Sequence, residues 1–187
     1  MTTNYNLVEE TAKIYAQRER LFGSLVDVFV GKNPLKPITS LLSYAKRNSI
    51  KPKSLELMTF DLKNSIEYLK KHHDLIKDLD ITLIGSGDVK NGLYKDDDFQ
   101  VTIKQTNKTL TEHINIINTD DGKSFIWHEP LHIVDDKGDY FGYEDGEESD
   151  EENMASERLR ARLYKPTQKQ LEDITKKIDM MLVKDAD

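Results

Sequence analysis

Two groupings of side chains in this sequence have the residue types and spacing to do chemistry. In the first, Trp127-His128-Glu129-Pro130-Leu131-His132 sets two imidazoles and a carboxylate close together. Zn²⁺ and Fe²⁺ take such donors, neutral histidine nitrogens plus a carboxylate. His113, on a neighbouring predicted strand, offers a third nitrogen, although Pro130 bends the chain between His128 and His132. The remaining histidines, His72 and His73, fall on adjacent faces of a predicted helix. In the second grouping, Gly85-Ser86 is followed by Asp96-Asp97-Asp98. Asp96 and Asp98 have the alternate spacing by which a strand presents two carboxylates on one face to divalent ions. The candidate metal ligands are therefore Asp96, Asp98, His128 and His132. Set beside them are two plainer readings: histidines at strand edges around a buried Trp127, and an acidic turn leading into a strand at Phe99.

The second grouping resembles the signature of polymerase-β-like nucleotidyltransferases, in which a Gly-Ser precedes a helix and a pair of carboxylates about ten residues later holds two Mg²⁺ ions. The resemblance covers about fifteen residues and implies metal-dependent nucleotidyl transfer through Asp96 and Asp98. It departs from the pattern at Asp97, where an apolar residue is expected, and at Gly92, which makes 87–95 a poor helix. Gly85-Ser86-Gly87 is followed by no Gly-Lys-Ser/Thr and completes no dinucleotide fingerprint, and the chain has no nucleophile-elbow serine. No cofactor is called for.

Composition narrows the classes further. The chain has 187 residues, 37% apolar and 33% charged, with a net charge of −7 and no cysteine. Disulfides, thiolate zinc sites, iron–sulfur clusters and cysteine nucleophiles are thereby excluded. No stretch is long and apolar enough for a membrane helix, and the first residues lack the basic-then-apolar order of a signal peptide. A cytoplasmic protein is expected. The charge is unevenly spread: residues 135–152 carry one lysine against ten acids, while the rest of the chain is at +2. Within it, Glu144, Asp145, Glu147, Glu148, Asp150, Glu151 and Glu152 should form a solvated linker, or an acidic arm that occupies a basic surface as a nucleic-acid mimic would. Direct nucleic-acid binding is disfavoured: the first 78 residues reach only +4, and Lys46, Arg47, Lys51 and Lys53 beside Tyr44 read as a solvated surface.

The elements that must position these groups follow from hydrophobic period. Residues 7–30 carry apolar positions at three- and four-residue steps, with a capping-box pair at Asn6 and Glu9 and Gly31 at the exit, which predicts one amphipathic helix. Its last ten residues, 21–30, are apolar on nearly all faces. Pro34 and Pro37 break the chain before a short helix ending near Asn48, and a third helix is predicted from Pro52 to about Ile76 along Leu55, Met58, Leu62, Ile66, Leu69 and Ile76. The period then changes. Strands are predicted at 81–84, 99–103, 109–117 and 124–128, the last pair joined by an Asp-Gly turn, with two more at 131–134 and 140–143. Beyond the acidic stretch, 155–164 is helix-prone, and a last helix at 168–183 is opened by Thr167 and Gln170 in capping-box spacing.

The resulting expectation is an α+β protein: a helical unit at 1–79, an antiparallel β-meander at 80–143, an acidic linker at 144–153 and a C-terminal helical segment at 154–187. Amphipathic helix exceeds what so small a sheet needs for cover. A non-catalytic interaction or assembly subunit is the leading functional reading, its partner another protein chain in a homo- or hetero-oligomer, with no membrane role. The partner-binding residues are Leu21, Phe22, Leu25 and Phe29 together with Leu171, Ile174, Ile178 and Met181. An acidic inhibitor of a nucleic-acid-binding protein is the second reading and a metal-dependent nucleotidyl-transfer-like enzyme the third. The abundance of Lys, Asn, Asp and Ile suits a phage or low-GC bacterial source.

Overall fold

At Gly23 a helical segment, residues 16–22, gives way to a strand instead of continuing to residue 30. Gly23 has φ +101°, and a Cβ there would run into the Lys165 carbonyl oxygen, so the turn needs glycine. The run that follows is rich in β-branched residues and forms β1 (Ser24–Val30). This correction to the long first helix is set by one backbone conformation. The computed structural model describes residues 13, 16–30, 42, 44–107, 110, 112–130 and 160–184. Within them the chain continues through β2 (Pro52–Thr59), α1 (Leu62–Lys71), α2 (His73–Ile76), β3 (Asp80–Gly85), β4 (Gly92–Asp96) and β5 (Phe99–Gln105). It ends with β6 (Glu112–Thr119), β7 (Ser124–Pro130), β8 (Arg160–Lys165) and α3 (Gln168–Asp179). The sequence-predicted strands at 131–134 and 140–143, the acidic linker and the Asn6 cap lie outside the described residues.

The eight strands form one sheet in the order β1-β8-β7-β6-β2-β3-β5-β4. β3 runs parallel to both β2 and β5, and the other neighbouring pairs are antiparallel. The expected antiparallel meander is thus corrected to a mixed sheet. Besides β1, two further segments read as helix are strands of this sheet. Residues 52–59 are a strand, and the helix begins only where the Asp61 carboxylate accepts from the Asn64 N–H at 3.2 Å. A parallel β2–β3 pair cannot be closed by a hairpin, so α1 and α2 serve as its crossover. Residues 160–165 form β8, held between β1 and β7, where lateral pairing overrides a local helical preference.

Paired residues on neighbouring strands share a face. One face sets Leu55, Leu83, Ile103 and Trp127 against Leu62, Ile66 and Leu69 of α1 and Ile76 of α2. The other sets Met58, Ile84, Ile114, Ile126 and Tyr164 against Phe22 and against Ile174 and Ile178 of α3. α3 therefore docks on its own chain. Its capping box is closed in both directions, with Gln170 N–H to Thr167 Oγ1 at 3.2 Å and Thr167 N–H to Gln170 Oε1 at 2.8 Å. Gln170 Nε2 also donates to the Glu19 and Arg20 carbonyls at 3.1 and 2.9 Å, pinning the helical segment 16–22. Beyond its far end, the Asn107 N–H donates to Met181 O at 2.9 Å and the Val183 N–H to Gln105 O at 2.7 Å. α3 thus crosses its face diagonally, from the end of β8 to the end of β5.

Candidate functional site

β1 is terminal in the sheet, and among the described residues no strand lies beyond it. Its Leu25, Val26 and Val28 are 39–41% exposed, and Leu21 just before it is 51% exposed. The side chains from Ser24 to Val28 are all exposed, so among the described residues nothing covers either side of this edge. Such an edge invites another strand. Two features limit indiscriminate pairing: the register slips at Val26, and the Asp27 carboxylate accepts from the Val28 N–H at 2.8 Å. The opposite edge is built differently. β4 is short, and Lys70 of α1 ties it down through Asp96 Oδ2 at 2.7 Å and the Tyr94 hydroxyl at 2.9 Å. Those bonds, Asp96 foremost, push the Lys70 ammonium above the usual lysine range.

A second group of polar side chains lies on the face of the sheet that carries α3. Register aligns Glu56 of β2, Thr82 of β3 and Thr102 of β5 in one lateral row on this face. Lys104 stands one row further along β5, opposite Ile84. All four are half-buried. Burial is the main force raising the Glu56 carboxyl above the ordinary glutamate range; Lys104 opposes the rise and Asp179 of α3 adds to it. One row below, Asn118 Nδ2 donates to Ser54 Oγ at 3.1 Å, and Ser124 Oγ donates to Asn118 Oδ1 at 2.7 Å.

The residues singled out from sequence are dispersed. Leu21 and Leu25 are exposed at the β1 edge, and Phe29 belongs to β1. Phe22, Ile174 and Ile178 are committed to the chain's own core, with Leu171 and Met181 half-buried against it. Asp96 and Asp98 flank a tight hairpin in which Asp96 pairs with Phe99 and Asp97 takes φ 52°, so they do not present two carboxylates on one strand face. The Gly85-Ser86 step leads into a strand, not a helix, which removes the arrangement the nucleotidyltransferase signature requires. His128 lies five strands from β4, about 24 Å at ordinary strand spacing. It stacks on Phe22 with centroids 4.6 Å apart, while His113 stacks on Phe60 at 4.3 Å. Ile114, not His113, is the partner of His128, so the two imidazoles point to opposite faces and cannot share a metal. Among the described residues no three His, Asp or Glu side chains gather as a metal site. His132 and the acidic arm lie outside the described residues. No helix among them is long and apolar enough to cross a membrane.

Sequence reasoning missed Glu56, Thr82, Thr102 and Lys104. A signal was present: each interrupts an apolar strand at alternate positions, as in Leu55-Glu56-Leu57 and Val101-Thr102-Ile103-Lys104, which marks a face that is not fully covered. Their alignment across three strands was not readable, because it depends on register.

No protein-family model matches this chain, and no curated protein matches it. Among solved structures it is similar to a polyphosphate kinase from Porphyromonas gingivalis, at 12% identity and a TM-score of 0.41. The match covers 83% of this chain and 22% of that one, so the chain spans less than a quarter of the kinase's length. Likeness at this level assigns no activity.

Proposed function

We propose that this protein is a non-catalytic interaction subunit that receives an extended segment of a partner chain along β1. The observation that carries the reading is the terminal strand itself, open at its outer edge among the described residues and with Leu25, Val26 and Val28 exposed. An added strand would satisfy the outer row of backbone donors and acceptors, and side chains from both partners would cover the two apolar faces. Leu21, exposed just before β1, extends the same surface.

The test compares the full chain with Val26→Lys and Val28→Lys, and with Met180→Lys as a control at a residue that is 82% exposed at the C-terminal end of α3. Light scattering coupled to size exclusion reads self-association, and capture from the native host reads a hetero-partner. The reading expects one stoichiometric partner, a second copy or another chain, that is retained by wild type and the Met180 variant and lost by both edge variants at unchanged melting temperature. Equal retention by the edge variants, or no partner at all, would overturn it.

A further inference from the structure

We infer that the segment received along β1 carries a lysine or arginine opposite Asp27, between apolar neighbours, and that it comes from a different protein and not from a second copy of this chain. The inference rests on the reading of β1 as a strand-receiving edge and names the chemistry of the partner. Asp27 is the one charged residue of the seven-residue strand, and it stands at the middle. It is exposed, and among the described residues it closes no ion pair. Its charge reaches Tyr44, whose hydroxyl is held above the usual tyrosine range by burial first and by Asp27 second.

In the free chain the carboxylate is spent locally, with Asp27 Oδ1 accepting from the Val28 N–H at 2.8 Å. That N–H, bonded to a side chain, is a donor that the carbonyl of an added strand can take over. The carboxylate is then released beside Val26 and Val28 and needs a new donor. A cationic side chain directly across supplies a charge-assisted bond, and opposite charges across a strand pair stabilise it where like charges destabilise. Apolar residues on either side of that cation would cover Val26 and Val28, both 41% exposed. A second β1 meets none of these needs. A two-fold pair of β1 strands is antiparallel and keeps each residue on its own face, so any register that overlaps most of the strand sets the two Asp27 carboxylates directly opposite or on the diagonal. Neither strand brings a cation to offset them.

The experiment titrates the full chain with the end-capped peptide Ser-Thr-Val-Lys-Val-Thr-Ser and with its counterpart carrying glutamate in place of lysine, and follows the backbone amide resonances of residues 24–30. Shifts there with either peptide read the β1 edge itself, and their dependence on peptide charge reads the inference. The expected result is saturable shifts with the lysine peptide, about fivefold weaker binding or worse for the glutamate peptide, and a difference that shrinks as salt is raised. Asp27→Asn should level the two peptides and Asp27→Lys should invert their order, both at unchanged melting temperature because the side chain is exposed. The same amides of the wild type, without peptide, should not shift with protein concentration. Equal binding of the two peptides at residues 24–30 would overturn the inference and leave the β1 reading standing. Concentration-dependent shifts of those amides would assign the edge to a second copy and overturn it as well. No shift there with either peptide would overturn both readings.

Discussion

Truncating Ile178 to alanine tests whether α3 belongs to the core of its own chain. Ile178 is 5% exposed and packs with Ile174, Met58, Ile84 and Ile126. Removing three carbons forfeits about 2.4 kcal/mol of transfer free energy at 0.8 kcal/mol per methylene, and the cavity left behind raises this to about 3 kcal/mol. For a chain of this size the melting temperature should fall by about 6–12 °C. Ile174→Ala, at 4% exposure, should behave alike. The double variant should lose about 5–6 kcal/mol, a large part of the 5–15 kcal/mol typical of whole domains. Met180→Ala, at an 82% exposed position two residues further on, should move stability by no more than about 0.5 kcal/mol. The assay is calorimetric or circular-dichroism melting across a range of protein concentrations. A wild-type melting temperature that climbs with concentration, combined with an Ile178→Ala shift no larger than that of Met180→Ala, would refute docking in cis.

Three further outcomes follow from the same fold. Asn115 is fully buried and replaces the backbone ladder where β2 and β6 part, its Oδ1 accepting from the Met58 N–H at 2.8 Å and its Nδ2 donating to the Trp127 carbonyl at 3.3 Å. Asn115→Ala leaves the buried Met58 N–H without its acceptor and should cost about 1–3 kcal/mol in denaturant unfolding; a loss near zero would show that water replaces the amide. Glu56→Gln should stabilise the protein at neutral pH. A carboxyl whose pKa is raised by folding contributes stability that is complete below the ordinary glutamate range and is lost as pH rises through the raised value. Melting curves of the variant and wild type should therefore separate above that range and converge below it, and a variant less stable at neutral pH would contradict the assignment. A Cβ at Gly85 would meet the Thr59 carbonyl oxygen across the parallel β2–β3 pair, so Gly85→Ala should destabilise by about 1–3 kcal/mol, measured by thermal melting.

Local chemistry made part of this architecture legible. Thr167 and Gln170 announce α3, and the three-to-four-residue recurrence of Leu171, Ile174 and Ile178 gives its buried stripe, because capping and helical period are properties of a single segment. The hairpin of β6 and β7 is equally local, with its Asp121-Gly122 step between two apolar runs. The alternation Phe99, Val101, Ile103 likewise marks β5. The helix within the third predicted segment was recognised along Leu62, Ile66 and Leu69, but its start was placed ten residues early. Leu55 and Met58 keep a helical step as readily as Leu55 and Leu57 keep a strand step.

Composition and local pattern thus determined the α+β class, the α3 cap, the central hairpin and the apolar character of 21–30. Tertiary structure decided which of the ambiguous segments became strands. β2 and β8 each lie between two neighbours, and those ladders outweigh propensities worth fractions of a kcal/mol per residue. It also decided that residues 24–30 form a terminal strand among the described residues, and that Glu56, Thr82, Thr102 and Lys104, far apart in the chain, share one face. Parallel register is a relation between distant segments, set by what their buried sides must meet, and no window of sequence contains it.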